Sequence, residues 1–546
     1  MDVQRIILIV ALSIVSYMLV LQWNADYGEK PAPKAAVISQ SAYSDSNGET
    51  ELPQTDPEAQ ADLPTTGTAI TKAKLVSVKT DVLNLLIDTK GGDIIQASLP
   101  AYKAALGSDL SFVLLEQTAE RTYVSQSGLV GTNGPDASTD GRPIYSSEES
   151  EYILTGDSLT VDLKYTANTG VIITKRFTFT PGSYAVKQEF LVNNQSEQLF
   201  SANLFGQIKR DRSSDPAETT SMGMQSYLGP VFSTEETRYE KYSFDDMDDA
   251  QFKRRSQDGW VAMSQHYFLT AWVPAPGAEY NYQTRKLNGN YIAGFLSPAF
   301  TVQPGNEQTV SASFYVGPKL QEQMVKTQED LKLTVDYGWL WWIASPLHSL
   351  LKWVYDLVGN WGLAIIGITI LVKAALFHLN AKAFKSMAKM RKFGPEMQRL
   401  KELYGDDRQK MSQEMMKLYQ KEKINPLGGC LPILAQMPIF IALYWVLLES
   451  VELRHAEFLY LADLSVKDPY FILPILMGIS MFIQQMLNPT PPDPMQAKIM
   501  KMLPIVFTFF FLWFPAGLTL YWVVNNIVSI AQQYVINKQI ENSTES

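Results

Sequence analysis

Lys373 is the one ionisable residue in an apolar run that extends from Trp361 to Phe377. Thr369 precedes it by four residues, so on a helix the two share a face. Gln436 stands beside Pro438 in another apolar run, and the last run carries Tyr521, Asn525, Asn526, Ser529 and Gln532. Tyr521, Asn525 and Ser529 are spaced by four and form one polar stripe. An ammonium with hydroxyl and amide neighbours can attract carboxylates, exchange hydrogen bonds and hold water. In lipid such groups must face one another or water. A water-filled cavity lined by Lys373, Thr369, Gln436 and the stripe is the simplest arrangement. Lys373 lies about 18 Å along a helix from Trp361, at a rise of ~1.5 Å per residue. Its stem could also snorkel to headgroups at the nearer membrane face, and spacing alone leaves both readings open.

The elements that must position these residues are long apolar segments. Leu431–Leu448, Tyr470–Leu487, Met502–Phe514 and Leu518–Val535 contain no acidic or basic residue. An ionisable group in a membrane core costs about 2.5–3.5 kcal/mol on insertion scales, so Lys373 is the feature to be explained. Ile6–Gln22 is a further apolar run, with Arg5 before it and Asp26 and Glu29 after it. It reads as an uncleaved transmembrane anchor (residues 1–23), because no small-x-small cleavage pattern follows Trp23; a cleaved signal peptide is the alternative.

The rest of the sequence narrows the chemistry. The single cysteine, Cys430, excludes an internal disulfide and a multi-cysteine metal site. His266, His348, His378 and His455 are scattered. His455-Ala456-Glu457 echoes half of a deaminase zinc motif without its cysteine pair. No lysine follows a glycine, so there is no phosphate-binding loop, and no Gly-x-Ser-x-Gly elbow occurs. The expectation is a protein that is not an enzyme and needs no cofactor or metal.

Charge sets the topology. Asn380–Asn425 holds twelve basic residues against six acidic ones, a positive-inside signal. The acid-rich Glu449–Lys467 falls outside, Asn488–Lys501 inside, and Pro515-Ala516-Gly517 makes an outer turn. Six spans with both termini cytoplasmic satisfy every flank. Residues 24–68, rich in Pro, Ser, Thr and acids, read as a flexible linker. Residues 69–335 show short alternating runs, among them Val171–Thr180 and Ala185–Val192, with turn punctuation such as Asn288-Gly289-Asn290. They predict an outer antiparallel β-sandwich. Asp245, Asp246, Asp248 and Asp249 read as a solvated loop neutralised by Lys253, Arg254 and Arg255, in preference to a calcium site. Residues 380–430 predict a helical hairpin, kinked at Gly394-Pro395 and broken at Gly405-Asp406-Asp407. Its methionines suit either an adaptable binding surface or packing of helix on helix. Its basic residues suit either anionic lipid headgroups or ribosomal RNA.

Three motifs carry a resemblance. Asn425-Pro426-Leu427-Gly428-Gly429-Cys430-Leu431-Pro432 with Gln436-Met437-Pro438-Ile439-Phe440, and Phe511–Leu518 with Leu520-Tyr521-Trp522, resemble signatures of the YidC/Oxa/Alb family of membrane protein insertases. Gly259–Phe268 is similar to the periplasmic domain of the family's bacterial members. The resemblance covers essentially the whole chain. It implies an α+β membrane protein of the bacterial inner membrane: an anchor, a periplasmic β-supersandwich of the sugar-mutarotase type, an interfacial amphipathic helix (residues 336–360), and a five-helix core (361–379 and 431–536). The core surrounds a groove open to cytoplasm and lipid, lined here by Lys373, Thr369, Gln436, Tyr521, Trp522, Asn525, Asn526 and Ser529. The expected function is insertion and chaperoning of nascent inner-membrane proteins, alone or beside the SecYEG translocon, with ribosome or signal recognition machinery contacted through residues 380–425 and lipids around the core. Three departures stand out. Lys373 occupies a position where the family usually carries Arg, His378 one where related chains often have Pro, and the tail 537–546 is not basic. The main rival is a secondary transporter or channel with Lys373 as its ion site, but no internal repeat is evident. An anchored carbohydrate enzyme would leave five spans unexplained.

Overall fold

The computed structural model describes residue 53 and residues 74–138, 141–217, 226–404, 407–421, 431–488 and 494–545. The expected anchor, the linker and the motif Asn425–Cys430 lie outside the described residues. The described chain divides into two compact units, one ending at Val335 and the other starting at Asp336.

The first unit is a β-sandwich of an eleven-stranded and a nine-stranded sheet, counted among the described residues. Its strands include β1 (Asp93–Lys103), β2 (Thr122–Val130), β3 (Val171–Phe179), β4 (Ala185–Asn194), β5 (Phe200–Arg210), β6 (Lys253–Ser256), β7 (Tyr280–Leu287) and β8 (Asn290–Leu296). The eleven-stranded sheet begins with β6, β7, β8, β5 and β2 in spatial order. Pairing is antiparallel apart from one parallel contact between Leu75–Lys79 and Glu151–Ile153. Period-2 alternation is the cause of the core. In β3, Val171, Ile173, Phe177 and Phe179 point inward with Lys175 among them, while the intervening residues are half-buried. The motif Gly259–Phe268 is buried throughout and contributes Trp260 to the interior. It is core and not a binding face.

Burying Lys175 requires a matching polar set. Its ammonium donates to the carbonyls of Gly91 at 3.0 Å and Ser127 at 2.9 Å. Close by, the Arg142 guanidinium pairs with Asp93 and with Asp136 at 2.8 Å. These four side chains form a buried group of two cations and two carboxylates, the arrangement that buried charge demands.

The acidic cluster corrects one expectation. Asp245, Asp246, Asp248 and Asp249 lie in a short helix, Phe244–Asp249, closed by a capping box between Ser243 and Asp246. Their cations are Arg212, paired with Asp245, and Lys286, 2.6 Å from Asp248. Lys253, Arg254 and Arg255 do not neutralise them. They project from β6, at the edge of the sheet, and form no ion pair with these acids among the described residues, which a sequence-local charge count could not see.

The second unit is helical: α1 (Trp341–Val358), α2 (Trp361–Ala375), α3 (Phe377–Lys392), α4 (Gly394–Tyr404), α5 (Arg408–Lys421), α6 (Leu431–Glu449), α7 (Ile472–Met486), α8 (Pro494–Phe511) and α9 (Ala516–Glu545). In α1, Ala344, Leu347, Leu351 and Val354 are buried, and Trp341, Trp342 and Trp353 are exposed. The spacing is that of an amphipathic helix. Among the described residues no single helix is long and apolar enough to cross a membrane; α2 and the first part of α3 are so together, but bent by 68°. The break falls at Leu376, inside the expected run Trp361–Phe377, with no proline or glycine there. Gln532 of α9 donates to the carbonyl of Phe377, the first residue after the break, at 3.2 Å. In the hairpin the first arm breaks at Phe393, next to the expected kink. The helices α7 and α8 approach closely at Gly478, where an added Cβ would stand 1.9 Å from Oγ1 of Thr508.

The loop from Ser450 to Phe471 ties three helix starts together. Asn360 accepts from the Leu363 amide at 3.1 Å and donates to the carbonyl of Glu457 at 3.1 Å, capping α2. Asp468 accepts from the amides of Tyr470 and Leu473 at 2.9 and 2.7 Å, capping α7. The first amides of α9, from Ala516 and Gly517, donate to the carbonyls of Val466 and Leu464 at 2.7 and 2.9 Å.

Burial pushes the Lys175 ammonium down from 10.5 to about 7, against the pull of Asp93. Between those values the unfolded chain holds a proton that the folded chain sheds. Unfolding free energy therefore rises with pH across this window, and the contribution is lost as pH falls to about 7. In the Lys175→Met variant this slope is absent. Thermal unfolding of both proteins, followed by near-ultraviolet circular dichroism at about pH 7 and about pH 9.5, is expected to differ in pH response by about 2–3 kcal/mol.

Candidate functional site

The helices α2, α6 and α9 bring five of the eight expected lining residues into one hydrogen-bonded group. Lys373, in the last turn of α2, is 7 % exposed. Its ammonium donates to Oγ of Ser529 at 2.8 Å and to Oε1 of Gln436 at 3.3 Å. The amide of Gln436 turns its nitrogen toward α9 and donates to the Tyr521 hydroxyl at 2.8 Å and to Oδ1 of Asn525 at 3.0 Å. Ser529 in turn donates to the backbone carbonyl of Asn525 at 2.7 Å. The spacing of four along α9 is what places Tyr521, Asn525 and Ser529 on the face toward α2 and α6.

The electrostatics of the group are unusual. No carboxylate lies within ion-pair distance of Lys373 among the described residues, so its partners are neutral oxygens. An ammonium carries three donors, and two are used. The third is available to an incoming acceptor. In this conformation the side chain turns into the helical unit, toward α6 and α9.

The other three residues are placed differently. Thr369 is buried, and its hydroxyl donates to Ile365 of its own helix at 2.6 Å. It shares the face of Lys373 without joining the network. Trp522 packs edge-on against Phe440 at 4.5 Å and beside Phe511, and its buried indole N–H has no acceptor among the described residues. Asn526 turns to α7, donating to Oγ of Ser480 at 3.0 Å. One turn-pair further on, Gln533 donates to the carbonyl of Leu487 and to Oδ1 of Asn488, at 3.2 and 3.0 Å. The helix α9 therefore has two polar stripes. One at 521, 525 and 529 serves Lys373; another, at 526 and 533, holds α7. The sequence reading finds the first stripe, places Asn526 in the same groove, and does not single out Gln533. The spacing of seven between Asn526 and Gln533 was the available signal for the second stripe, whereas nothing marked Ser480 as its partner.

Around this polar interior, α7 and α8 present broad apolar surfaces. Ile475, Ile479 and Phe482 on α7, and Ile499, Ile505 and Phe509 on α8, are exposed. Such surfaces on a water-soluble protein would be aggregation-prone, and they fit a hydrocarbon environment. Among the described residues no group of three or more His, Cys, Asp or Glu side chains is arranged to hold a metal ion.

Two family models match the chain. The YidC periplasmic domain covers residues 75–350, and the 60Kd inner membrane protein family covers residues 353–543. The membrane protein insertase YidC of Marinomonas sp. (strain MWYL1) is 56 % identical over 99 % of this chain and 100 % of its own length. That of Pseudomonas fluorescens (strain SBW25) is 53 % identical over 100 % of this chain and 99 % of its own. Among solved structures, an active YidC insertase crystal structure with its first transmembrane domain resolved aligns at 18 % identity with a TM-score of 0.39, over 85 % of this chain and 93 % of that one. The matched residues span the sandwich and the helices alike, with relatives more than half identical from end to end: the chain belongs to the YidC family of membrane protein insertases.

Proposed function

We propose that this chain inserts and folds proteins of the bacterial inner membrane through a hydrophilic groove centred on Lys373. The observation that carries the reading is the state of that residue: a buried ammonium with neutral partners and one donor unspent. Desolvating a cation without a counter-ion is costly, and the arrangement is suited to a carboxylate that arrives from elsewhere. An acidic residue in the short outer segment of a substrate would supply it. Tyr521, Asn525, Gln436 and Ser529 offer exchangeable hydrogen bonds around the same point, Thr369 shares the face of Lys373, and Trp522 and Asn526 support the neighbouring helices. The substrate's apolar helix then slides along the exposed faces of α7 and α8 and partitions into lipid. Hydrophobic transfer, assisted by the membrane potential, drives the step, and no covalent bond is made or broken.

The topology that fits is six spans with both termini cytoplasmic: an anchor at 1–23, then the core at 361–379 and 431–536, preceded by α1 lying in the interface. On this topology the loop from Ser450 to Phe471 closes the outer end of the core, which agrees with its three helix caps, while Lys373 stays reachable from the cytoplasm. The hairpin within 380–430 would meet anionic lipid, the ribosome or signal recognition machinery, and the SecYEG translocon would be a partner for larger substrates. The names of the relatives support the insertase role itself.

In liposomes containing only the purified chain, a small single-spanning substrate with an acidic outer segment is expected to insert. The Lys373→Arg variant keeps activity within a few-fold, since charge is retained although the donor geometry changes. The Lys373→Glu variant loses at least ten-fold, as read by protease protection of the substrate. Equal insertion by all three would contradict the groove charge.

Gln436 joins three groups, so Gln436→Leu leaves Tyr521, Asn525 and Lys373 short of partners. It is expected to cost about 1–3 kcal/mol, measured by detergent unfolding titration. Thr369→Val, which breaks one bond within a single helix, is expected to change stability by under ~1 kcal/mol.

A further inference from the structure

The cations of β6 have no task in the sandwich. Lys253, Arg254 and Arg255 are exposed, and the acids nearest in sequence are engaged by Arg212 and Lys286. None of the three forms an ion pair among the described residues. Arg254 lies over the ring of Phe252 at 5.3 Å. In a chain whose formal net charge is −10, three consecutive unpaired cations are conspicuous.

Their backbone is open as well. Among the described residues the strand β6 stands at the end of the eleven-stranded sheet and pairs only with β7, in the register Lys253↔Gln283, Arg254↔Tyr282, Arg255↔Asn281. The amide of Thr284 donates to the carbonyl of Phe252 at 3.0 Å, which marks Phe252 and Thr284 as a hydrogen-bonded pair. Antiparallel pairs alternate, so residues 254 and 256 also bond toward β7, and residues 253 and 255 point their amides and carbonyls away from the sheet. The carbonyl of Lys253 is taken by the Arg254 guanidinium at 3.0 Å. The amides of Lys253 and Arg255 and the carbonyl of Arg255 have no partner among the described residues.

The side chains lead in the same direction. Lys253 and Arg255 share a sheet face with Gln283 and Asn281, and these four residues, with Asn203 and Ser297 among others, line a polar cleft of about 540 Å³. Positions two apart on a strand lie about 6.5–7 Å apart, which is the spacing of alternate carboxylates on an extended peptide. Lysine on an edge strand ordinarily deters pairing with another copy of the same edge. That repulsion does not extend to an acidic strand, which the same cations attract.

We propose that β6 is a docking edge for an acidic, extended polypeptide segment, which adds as a further strand and places alternate carboxylates against Lys253 and Arg255. Identifying that segment as the outer part of a membrane-protein substrate rests on the function proposed above; the binding itself does not.

The test uses the full-length protein in detergent micelles and fluorescein-labelled ten-residue peptides alternating Glu with Val. Fluorescence anisotropy is expected to show binding of the acidic peptide and none of its Lys counterpart. Affinity should fall at least ten-fold when every second amide of the peptide is N-methylated, and similarly in Lys253→Gln/Arg255→Gln and Lys253→Glu/Arg255→Glu proteins. Equal binding of the methylated peptide would overturn strand pairing, and unchanged affinity in both double variants would overturn the site. Displacement of the peptide by phosphatidylglycerol vesicles, with no loss on methylation, would assign the edge to lipid instead. Run in parallel, liposome insertion of the small substrate with an acidic outer segment reads the insertase function by itself. If the wild type inserts nothing there, that function fails while the peptide result stands.

Discussion

The helical unit is organised around an ammonium that has no counter-ion among the described residues. Lys373 is held by oxygens of Gln436 and Ser529, and those oxygens must come from two further helices, because a buried lysine cannot satisfy its donors from its own helix wall. The demand fixes which faces of α6 and α9 turn toward α2. The stripe at 521, 525 and 529 answers it directly, and the bonds from Gln436 to Tyr521 and Asn525 lock the amide in the orientation that leaves Oε1 for the lysine. The remaining polar residues of α9 are then free to hold α7.

The sandwich treats buried charge in the opposite way. Arg142 is matched by Asp93 and Asp136, and Lys175 sits among them with two carbonyl acceptors. That group is balanced in charge, and it reads as structure. Lys373 also has two acceptors, but no carboxylate stands beside it among the described residues. The contrast within one chain is the physical reason for placing function at the helical site: balanced burial stabilises a fold, whereas unbalanced burial has a use only if something comes to balance it.

Much of this was legible in the sequence. Apolar runs located α6, α7 and the start of α9 to within a few residues, although α9 continues to Glu545, and alternation located the sandwich, since both follow from one-dimensional periodicity. The position of Lys175 was legible too, because it shares parity with Val171, Ile173 and Phe177, yet a charge inside an alternating run is easily passed over. Other features were not legible. The bend at Leu376 has no local breaker, and Gln532 reaches the carbonyl of Phe377 beside it only across the helix interface. Ser480 became important only when α9 brought Asn526 to it. The cations of β6 were assigned to the wrong acids, because sequence neighbours were taken for spatial ones, while strand register delivered Arg212 and Lys286 from elsewhere.

The central claim is that the charge at position 373 is matched by a substrate's opposite charge, and the most direct measurement is a charge exchange between the two. Insertion into liposomes would be compared for wild type and Lys373→Glu, each with substrates whose outer segment carries either two Glu or two Lys. The account expects a crossed result: the wild type favours the Glu substrate, and the variant recovers insertion with the Lys substrate. If the variant fails with both substrates, or if either protein inserts both equally, the charge at this position does not recognise the substrate and the account is contradicted.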